Sequence, residues 1–569
     1  MMARATASSA MADIDRPLLC APPFPGADAV MLGRPVSGGS TRVSDDLDAC
    51  VAAMRSARVG GTFWAAQPSL DPDRTIVLRP SSDDALRAML AQAADEGVSD
   101  RIMLWLPEGQ GAGAVSAPVI QDPCDPWHVL GHATGLWVDG ESDIRDLAHV
   151  ALVPVRRFDH GANPILETAQ DEAVRYALQQ RLITQIAYTE PFDGLPSDAL
   201  STIALLSHWR TLIDANRSIA GAFGFAHWKK AAVEPLLWGG SEPVRFLSPS
   251  RTALDAIPPD RAIAIWKARV PDDFLDAVEA RSGAVHEVED GFIRSAGLGA
   301  NCVPPLSIVA DRIGVHFDPS GPSELENILQ RGGFTPEMLA RAERLRVLIV
   351  ETGISKYDVG GEAMERPGGA RRHILVTGQV EDDRSVLFGG GAVAGNFDLL
   401  RRARAQEPDA YIIYKPHPDV EAGHRKGRVA EADALAYADQ VEREAPISAL
   451  LDMVDGVHVL TSLAGFEALL RGRQVTTHGV PFYAGWGLTT DLGDVPVRRS
   501  AQRDVNEMVA AVLMLYPRYL DPVTSLPCPP EVLVRRLVGG ARRENRVIVS
   551  LRRLQGLVRQ NLSRMRIWT

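Results

Sequence analysis

The sequence predicts an α/β protein in which parallel sheets carry helices on both faces. Short apolar runs such as RAIAIWKARV, HILVTGQVEDD and AYIIYKPHP alternate with helical stretches such as SELENILQRGG and NFDLLRRARAQ. This alternation is typical of doubly wound sheets. The apolar runs end in polar or turn residues, and in such sheets ligands bind beyond the carboxyl ends of the strands. Two sheets are predicted, over residues 205–370 and 371–530.

Composition narrows the class of protein. The chain has 569 residues, of which 46% are hydrophobic and 23% charged, as expected for a soluble protein of several domains. Its net charge of −12 argues against a nucleic-acid partner. The five cysteines are scattered without a CxxC pair, which indicates a reducing compartment. We find neither a signal-peptide core nor an apolar window of about 18 residues, so a cytoplasmic protein is expected.

An internal echo predicts a duplicated segment near the N-terminus. YTEPFDGLPSDALSTIALL resembles YLDPVTSLPCPPEVLVRRL, and GLWVDGESDIRDLAHVALVPVRRF resembles GVHVLTSLAGFEALLRGRQVTTHG. An offset of 331 relates three pairs in the first echo, namely Pro191 and Pro522, Leu195 and Leu526, and Pro196 and Pro527. Residues 1–200 are therefore interpreted as a degenerate Rossmann-like half-module related to residues 371–530.

Acidic residues follow two of the predicted strands. Glu289 and Asp290 end GAVHEVED, whereas HILVTGQVEDD ends in Glu381, Asp382 and Asp383. Adjacent acids at a strand end are commonly just solvated. Carboxylates contributed by two facing sheets nevertheless suit glycosyl transfer or hydrolysis, in which one acts as acid/base and the other as nucleophile or charge stabiliser.

Two further strand ends carry groups that suit a phosphate. AYIIYKPHPDV ends in Lys415, His417 and Pro418, and GVHVLTS ends in Thr461 and Ser462. Ser462 has N-cap chemistry, and the free N–H groups of a helix N-terminus bind phosphate. A turn at His-Pro and a structural cap at Ser462 are the alternatives. No Walker motif, dinucleotide fingerprint or HExxH motif is present, so transfer without cofactor or metal is expected.

Six ordered segments closely resemble the capsule polysaccharide biosynthesis family of KpsC type, which are bacterial β-Kdo transferases. They are EDGFIRSAGLGA, PPLSIVAD, GQVEDDRS, YKPHPDV, TSLAGFEALLRG and PFYAGWGLTTD. The resemblance implies a GT-B-like fold, with Rossmann-like lobes at 205–370 and 371–530 facing a cleft. It implies retaining transfer from CMP-β-Kdo to a Kdo-bearing lipid acceptor in the capsular polysaccharide linker. Capsule assembly and export proteins are the implied partners.

The resemblance also implies roles for the acidic motifs. Glu289 and Asp290 match the acidic motif and are candidates for the general acid/base. Asp382 and Asp383, in the stretch after Gln379, are candidates for the nucleophile of a double displacement.

The remaining motifs are implied to hold the donor. His417 and Pro418 would hold the phosphate and ribose of CMP, and Thr461 and Ser462 would bind phosphate. Glu467 would reach the ribose, unless it is a solvent-facing helix residue. Either Arg294 or Lys415 would hold the Kdo carboxylate. The segment PFYAGWGLTTD would be a loop at the mouth of the cleft or an aromatic-packed structural loop.

The chain departs from the family in its first 200 residues. KpsC-type proteins carry two complete modules, and the second is the one that residues 205–530 resemble. The N-terminal region shows only a half-module, with Pro107 and Glu108 in place of His-Pro and Glu141-Ser142 in place of Thr-Ser. One active site is therefore predicted, with a non-catalytic N-terminal domain. The alternatives are a transferase for another CMP-sugar and a non-enzymatic scaffold of the capsule complex.

The C-terminal segment predicts a membrane-surface contact. Residues 535–569 contain ten arginines and one acid, Glu544, and the last part reads as an amphipathic helix, assigned to residues 531–569. Such helices bind anionic lipid surfaces, and each arginine contributes roughly 1 kcal/mol. We expect salt-sensitive binding to anionic vesicles that deletion of 541–569 abolishes, measured by co-sedimentation. If the helix packs on its own domain instead, the deletion will abolish transfer to a soluble acceptor as well.

Overall fold

The computed structural model describes residues 17–36, 46–110, 115, 117–159, 163–294, 303–354, 366–423 and 425–540. The chain forms two compact units. The first comprises the chain up to Arg217 together with Leu237–Pro243, and the second comprises Ser218–Leu236 and the chain from Val244 onward. Both lobes of the predicted transferase lie in the second unit.

A six-stranded sheet forms the core of the first unit. Its order is β4-β3-β2-β5-β6-β7, and only β7 is antiparallel to its neighbour. A separate small antiparallel sheet has the order β1-β8-β9. The strands are β1 Gly33–Pro35, β2 Ile76–Arg79, β3 Ile102–Leu106, β4 Val119–Gln121, β5 Gly135–Val138, β6 Val155–Arg157, β7 Ile165–Glu167, β8 Ile186–Thr189 and β9 Pro196–Ser197.

Helices follow most strands of this sheet and begin at side-chain caps. Ser82, Ser142 and Asp198 each accept a hydrogen bond from a backbone N–H in the first turn of α2, α4 and α6, respectively. The helices are α1 Leu47–Ala57, α2 Asp83–Asp95, α3 Pro126–Leu130, α4 Asp143–Val150, α5 Glu172–Gln179 and α6 Ala199–Asn216.

The second unit begins with an N-terminal lobe whose first four strands are parallel. These strands have the order β11-β10-β12-β13, and β14 then adds antiparallel to β13. The elements are β10 Ile219–Phe223, α7 His227–Leu237, β11 Phe246–Leu247, α8 Arg251–Asp255, β12 Ala262–Ile265, α9 Asp272–Glu279, β13 Val285–Asp290, β14 Ser307–Asp311, α10 Glu324–Arg331 and α11 Pro336–Thr352.

The C-terminal lobe is a six-stranded, wholly parallel sheet in the order β17-β16-β15-β18-β19-β20. This is the Rossmann order, which reverses direction between β15 and β18. The elements are β15 His373–Thr377, α12 Arg384–Gly389, α13 Asn396–Gln406, β16 Tyr411–Lys415, α14 Pro418–Glu421, α15 Glu431–Leu435, β17 Gln440–Val441, α16 Ile447–Met453, β18 Gly456–Val459, α17 Leu463–Leu470, β19 Gln474–Thr477 and β20 Thr490–Asp491.

The last described segment returns to the N-terminal lobe. It contains α18 Val505–Val509, β21 Arg518–Leu520, β22 Pro527–Cys528 and α19 Pro530–Val538, and β21 pairs with β14. The structure thus differs from the predicted boundary, which assigned 371–530 to one lobe. The physical reason is that the open edge of β14 is covered by a later part of the chain, which local patterns do not reveal. Two Rossmann-like lobes confirm the predicted α/β, GT-B-like class.

The predicted echo has a structural counterpart in each unit. β9 and α6 begin 331 residues before β22 and α19, respectively. In both copies a tyrosine hydroxyl donates to a leucine carbonyl six residues earlier at 2.8 Å, from Tyr188 to Leu182 and from Tyr519 to Leu513. The sheet of the first unit also has the strand order of the C-terminal lobe. Related sequences therefore build related elements.

Parts of two predictions lie outside the described residues. They are the end of the EDGFIRSAGLGA motif beyond Arg294 and the basic segment 541–569, so the amphipathic helix stays a prediction. Within the described part of the chain, no helix combines the length and the apolarity needed to cross a membrane.

Candidate active site

The acidic motif ends β13 and turns sharply at a glycine. Glu289 and Asp290 pair with β14 before the chain turns. A Cβ atom on Gly291 would lie 2.2 Å from the Ser307 hydroxyl, which itself donates to the Ile293 carbonyl at 2.6 Å. Only glycine fits this close approach, which accounts for the third residue of the motif.

Asp290 is held between two cations. The Lys229 ammonium lies 3.1 Å from one carboxylate oxygen, and the Arg294 Nε donates to the other at 2.8 Å. Arg294 is fully buried and also donates to the Val303 carbonyl at 2.8 Å. The structure therefore places Arg294 on Asp290 rather than on an open surface that a donor carboxylate would reach.

Lys229 is a residue that the sequence reasoning missed. It lies on α7 and is buried, with its ammonium 3.3 Å from the centroid of the Trp266 ring. Burial lowers the pKa of Lys229 to about 8, and the Asp290 charge opposes that shift. Its neighbour Lys230 looks the same in sequence, so no local signal distinguishes the two lysines.

Glu289 lies in a different environment from Asp290. Burial and then the neighbouring Asp290 charge raise its pKa to about 7, against the opposing charges of Arg384 and Lys229. A carboxyl group with a pKa near neutrality exchanges protons efficiently at physiological pH. Of the two acids, Glu289 therefore has the properties of a general acid/base.

Arg384 connects the C-terminal lobe to this acidic motif and was also missed. It is the first residue of α12, and its Nη1 donates to Glu287 at 3.1 Å and to Glu289 at 3.2 Å. Its guanidinium lies 5.1 Å from the Phe317 ring and 5.5 Å from the Phe388 ring. A single arginine in GQVEDDRS carries no signal of this contact, because Glu287 and Glu289 lie about a hundred residues earlier.

A hydrogen-bonded cluster occupies the switch point between β15 and β18. The Gln379 amide accepts from the Thr461 N–H at 2.8 Å and donates to the Thr461 hydroxyl at 3.0 Å. Asn396 in turn holds the Gln379 backbone, accepting from its N–H at 2.8 Å and donating to its carbonyl at 2.7 Å. Rossmann-like sheets bind ligands at this point. Asn396 is a further positioning residue that the sequence analysis did not single out.

The other predicted donor-binding residues surround this edge. Ser462 caps α17, accepting from the Ala464 N–H at 3.2 Å, and His417 caps α14, accepting from the Asp419 N–H at 3.1 Å. Pro418 is the first residue of α14. The Lys415 ammonium at the end of β16 donates to the Arg443 carbonyl at 2.7 Å.

The two candidate nucleophiles differ in their surroundings. Asp383 caps α12, because its carboxylate accepts from the N–H of Ser385 at 3.0 Å and from its hydroxyl at 2.8 Å. Asp382 is more exposed and lies 3.2 Å from Arg425. Asp382 is thus the carboxylate with the freer approach.

The loop PFYAGWG is a packed aromatic element. Phe482, Tyr483 and Trp486 are buried, and Phe482 lies 4.8 Å from the ring of Phe292, which follows the acidic motif. The Tyr483 hydroxyl donates to the Ser462 carbonyl. The structure therefore matches the structural alternative for this loop and connects the acidic turn to the start of α17.

Helix α12 relates the acidic motif to the phosphate-binding motif. Its first residue contacts Glu289, and a Cβ atom on its last residue, Gly389, would lie 2.9 Å from the Thr461 side chain. A helix of six residues is about 9 Å long. The structure therefore brings these two motifs to one site. Glu467, on α17, is buried, so the solvent-facing alternative for it is wrong.

The first unit has no such cluster at its own switch point. There Asp139, which follows β5, accepts from the N–H of Ser81 at 2.7 Å and from its hydroxyl at 2.6 Å. A carboxylate at this point repels a phosphate, because two like charges then lie close together. The phosphate-binding chemistry among the described residues is thus concentrated in the second unit.

Comparison with known proteins places this site within a family. Residues 262–519 match the model of the capsule polysaccharide biosynthesis protein family. The chain is 38% identical over 366 residues to the capsule polysaccharide modification protein LipA of Neisseria meningitidis, a match that covers 64% of this chain and 52% of LipA. It is 45% identical over 236 residues to the lipopolysaccharide-processing protein LpsZ of Rhizobium meliloti, covering 41% and 53%. The chain thus spans about half the length of these curated relatives.

Two solved structures are also similar. The beta Kdo 2,7 transferase of Thermosulfurimonas dismutans KpsC is 33% identical, with 56% of this chain and 99% of that chain covered and a TM-score of 0.47. The corresponding beta Kdo 2,4 transferase is 30% identical, with 56% and 98% covered and a TM-score of 0.48. The identity across nearly the whole of each solved chain, together with the family match, confirms the predicted resemblance: this chain belongs to the capsule polysaccharide biosynthesis family.

Proposed function

We propose that the second unit is a retaining glycosyltransferase that moves Kdo from CMP-β-Kdo to a Kdo-bearing lipid acceptor. The observation that carries the proposal is the single site formed by Glu289, Arg384 and Thr461 at the two ends of α12. The names of the two KpsC transferase structures support Kdo as the sugar. The active protein would act in assembly of the capsular linker, at the inner face of the cytoplasmic membrane.

The proposed mechanism is a double displacement. The Asp382 carboxylate attacks the anomeric carbon and forms a bond to it as the bond to the CMP phosphate breaks. Glu289 then takes the proton of the acceptor hydroxyl, whose oxygen displaces Asp382. The leaving phosphate is a stable anion that needs no proton. A single acid/base with a pKa near 7 therefore suffices.

The switch-point cluster would bind the CMP phosphate. Gln379 fixes the Thr461 hydroxyl and N–H, and the first turn of α17 after Ser462 offers further N–H groups. His417 and Lys415 would approach from the end of β16, which is adjacent to β15. No cluster of three metal-ligating side chains occurs among the described residues, and independence from metals remains part of the proposal.

A donor assay tests the proposal directly. CMP-Kdo is generated in situ and offered with a soluble Kdo glycoside, and mass spectrometry should detect one added Kdo, with or without chelator. Absence of product, or a product only with another CMP-sugar, would contradict the Kdo assignment. A strict need for a divalent metal would contradict metal independence.

Ser462→Ala tests where the nucleotide binds. We expect CMP affinity, measured by calorimetry, to fall about tenfold, because the variant loses a hydroxyl beside the phosphate site. The matched control is Ser142→Ala, since Ser142 caps α4 of the first unit in the same way. Both variants lose a cap worth about 1 kcal/mol, so only a loss confined to Ser462→Ala supports the site.

A further inference from the structure

The proposed donor carries a carboxylate next to its anomeric carbon, and this charge requires a cation in the site. The two cations predicted for this task are engaged elsewhere in the structure. Arg294 is buried against Asp290, and the Lys415 ammonium donates to the Arg443 carbonyl. Moving Arg294 would leave a carboxylate without a buried partner, which is costly.

Arg384 is the arginine whose position suits the donor carboxylate. We infer that Arg384 binds the carboxylate of the sugar donor by giving up its contact with Glu289, and so determines specificity for acidic sugars. This inference rests on the proposed function. One face of the guanidinium lies near Phe317 and Phe388, while a quarter of the side chain remains exposed.

The geometry of Arg384 supports such an exchange. Its Nη1 is shared between Glu287 and Glu289 at 3.1 and 3.2 Å, so neither carboxylate has the paired, bidentate contact that binds arginine most strongly. An incoming carboxylate can form that paired contact. Charge balance also favours the exchange, because one anion replaces another.

The exchange affects the two glutamates differently. Glu287 keeps a cation, since the Lys267 ammonium lies 2.6 Å from its other oxygen. Glu289 loses the arginine that lowers its pKa and becomes a stronger base. Binding of an acidic sugar would therefore strengthen the group that takes the acceptor proton, which a sugar lacking the carboxylate would not do.

Arg384→Gln tests the inference through two affinities. We expect the KM for CMP-Kdo, supplied by a regenerating synthetase, to rise at least tenfold. The Kd for CMP, which lacks the carboxylate, should stay within twofold of wild type and also reports that the site is folded. Arg384→Lys keeps the charge without the fork and should lie between. The control is Arg312→Gln, which removes an exposed arginine paired with Glu324 and should change neither constant.

The pH profile separates exchange from a merely structural role. The profile of kcat/KM reports the free enzyme and that of kcat the donor complex. If Arg384 leaves Glu289 when the donor binds, Arg384→Gln moves the acidic limb of kcat/KM to higher pH and leaves that of kcat in place. Movement of both limbs, an unchanged donor KM, or an equal loss of CMP affinity would each overturn the inference. If the wild-type protein neither binds CMP nor transfers Kdo, the proposed function falls and the inference with it.

Discussion

Glu289→Gln is expected to lower kcat by at least a hundredfold while the protein stays folded and binds CMP. A positioned general acid/base contributes about 10²–10⁴ in rate, and glutamine cannot take the acceptor proton. For the wild-type protein, activity should fall as the pH drops through about 7, because protonated Glu289 is inactive as a base. The measurement is transfer to a soluble Kdo glycoside over pH 5.5–8.5, a range of about three pH units around that pKa.

The matched variant is Asp290→Asn, which the structure separates from Glu289→Gln. Asp290 neutralises Lys229 and Arg294, so its loss leaves two buried cations without their carboxylate. Removing one partner of such a buried group costs about 3–5 kcal/mol. Asp290→Asn should therefore lose stability, whereas Glu289→Gln should lose only chemistry. Wild-type turnover in Glu289→Gln would contradict the assignment.

Glu289→Gln should also stabilise the fold at neutral and higher pH. The folded-state pKa of about 7 lies above the ordinary value of 4.5, so burial disfavours the charged form. A raised carboxyl pKa favours the folded state below 4.5, and that advantage is lost as the pH rises to about 7. The gain should approach about 3 kcal/mol at most. Urea unfolding at pH 5 and pH 8, about three pH units apart, should show the larger gain at the higher pH, and an equal gain would contradict this origin.

Arg210→Met is expected to destabilise the first unit by about 3–5 kcal/mol. Arg210 and Asp125 are both buried, and the Arg210 Nη2 donates to Asp125 at 2.7 Å. Asp125 also caps α3 by accepting from the Trp127 N–H at 3.0 Å, and it accepts from Gln67 at 2.9 Å. Loss of the arginine leaves a buried carboxylate without its cation. Hydrogen exchange of peptides from α1, α3 and α6 measures the loss.

Arg58→Met is the control for this loss. Arg58 pairs with Asp214 at 3.4 Å and is 59% exposed, so the pair contributes at most about 1 kcal/mol. Equal destabilisation by both variants would contradict the importance of burial at Arg210. Since the first unit is predicted to be non-catalytic, transfer by Arg210→Met to a soluble acceptor should persist under conditions where only the first unit opens. Loss of transfer there would contradict that prediction.

The sequence by itself determined the class of fold and the position of most site residues along the chain. Alternation of strands and helices depends on local patterns, so HILVTGQVEDD and GVHVLTS could be identified as neighbouring strands of a Rossmann-like sheet. Because parallel strands share one carboxyl edge, the residues after them were expected to meet. Gln379 and Thr461 do meet there. The echo at offset 331 likewise corresponds to two hairpins with the same tyrosine contact.

Only the tertiary structure decided which of these groups are available for chemistry. Burial and ion pairing depend on residues far apart in sequence, such as Lys229 beside Asp290 and Arg384 beside Glu289. These contacts assign Asp290 to a structural ion pair and leave Glu289 as the acid with a pKa near neutrality. The return of β21 to the edge of β14 has the same origin. Local pattern specifies an element, whereas pKa and partner depend on the charges and the low dielectric that folding brings around a side chain.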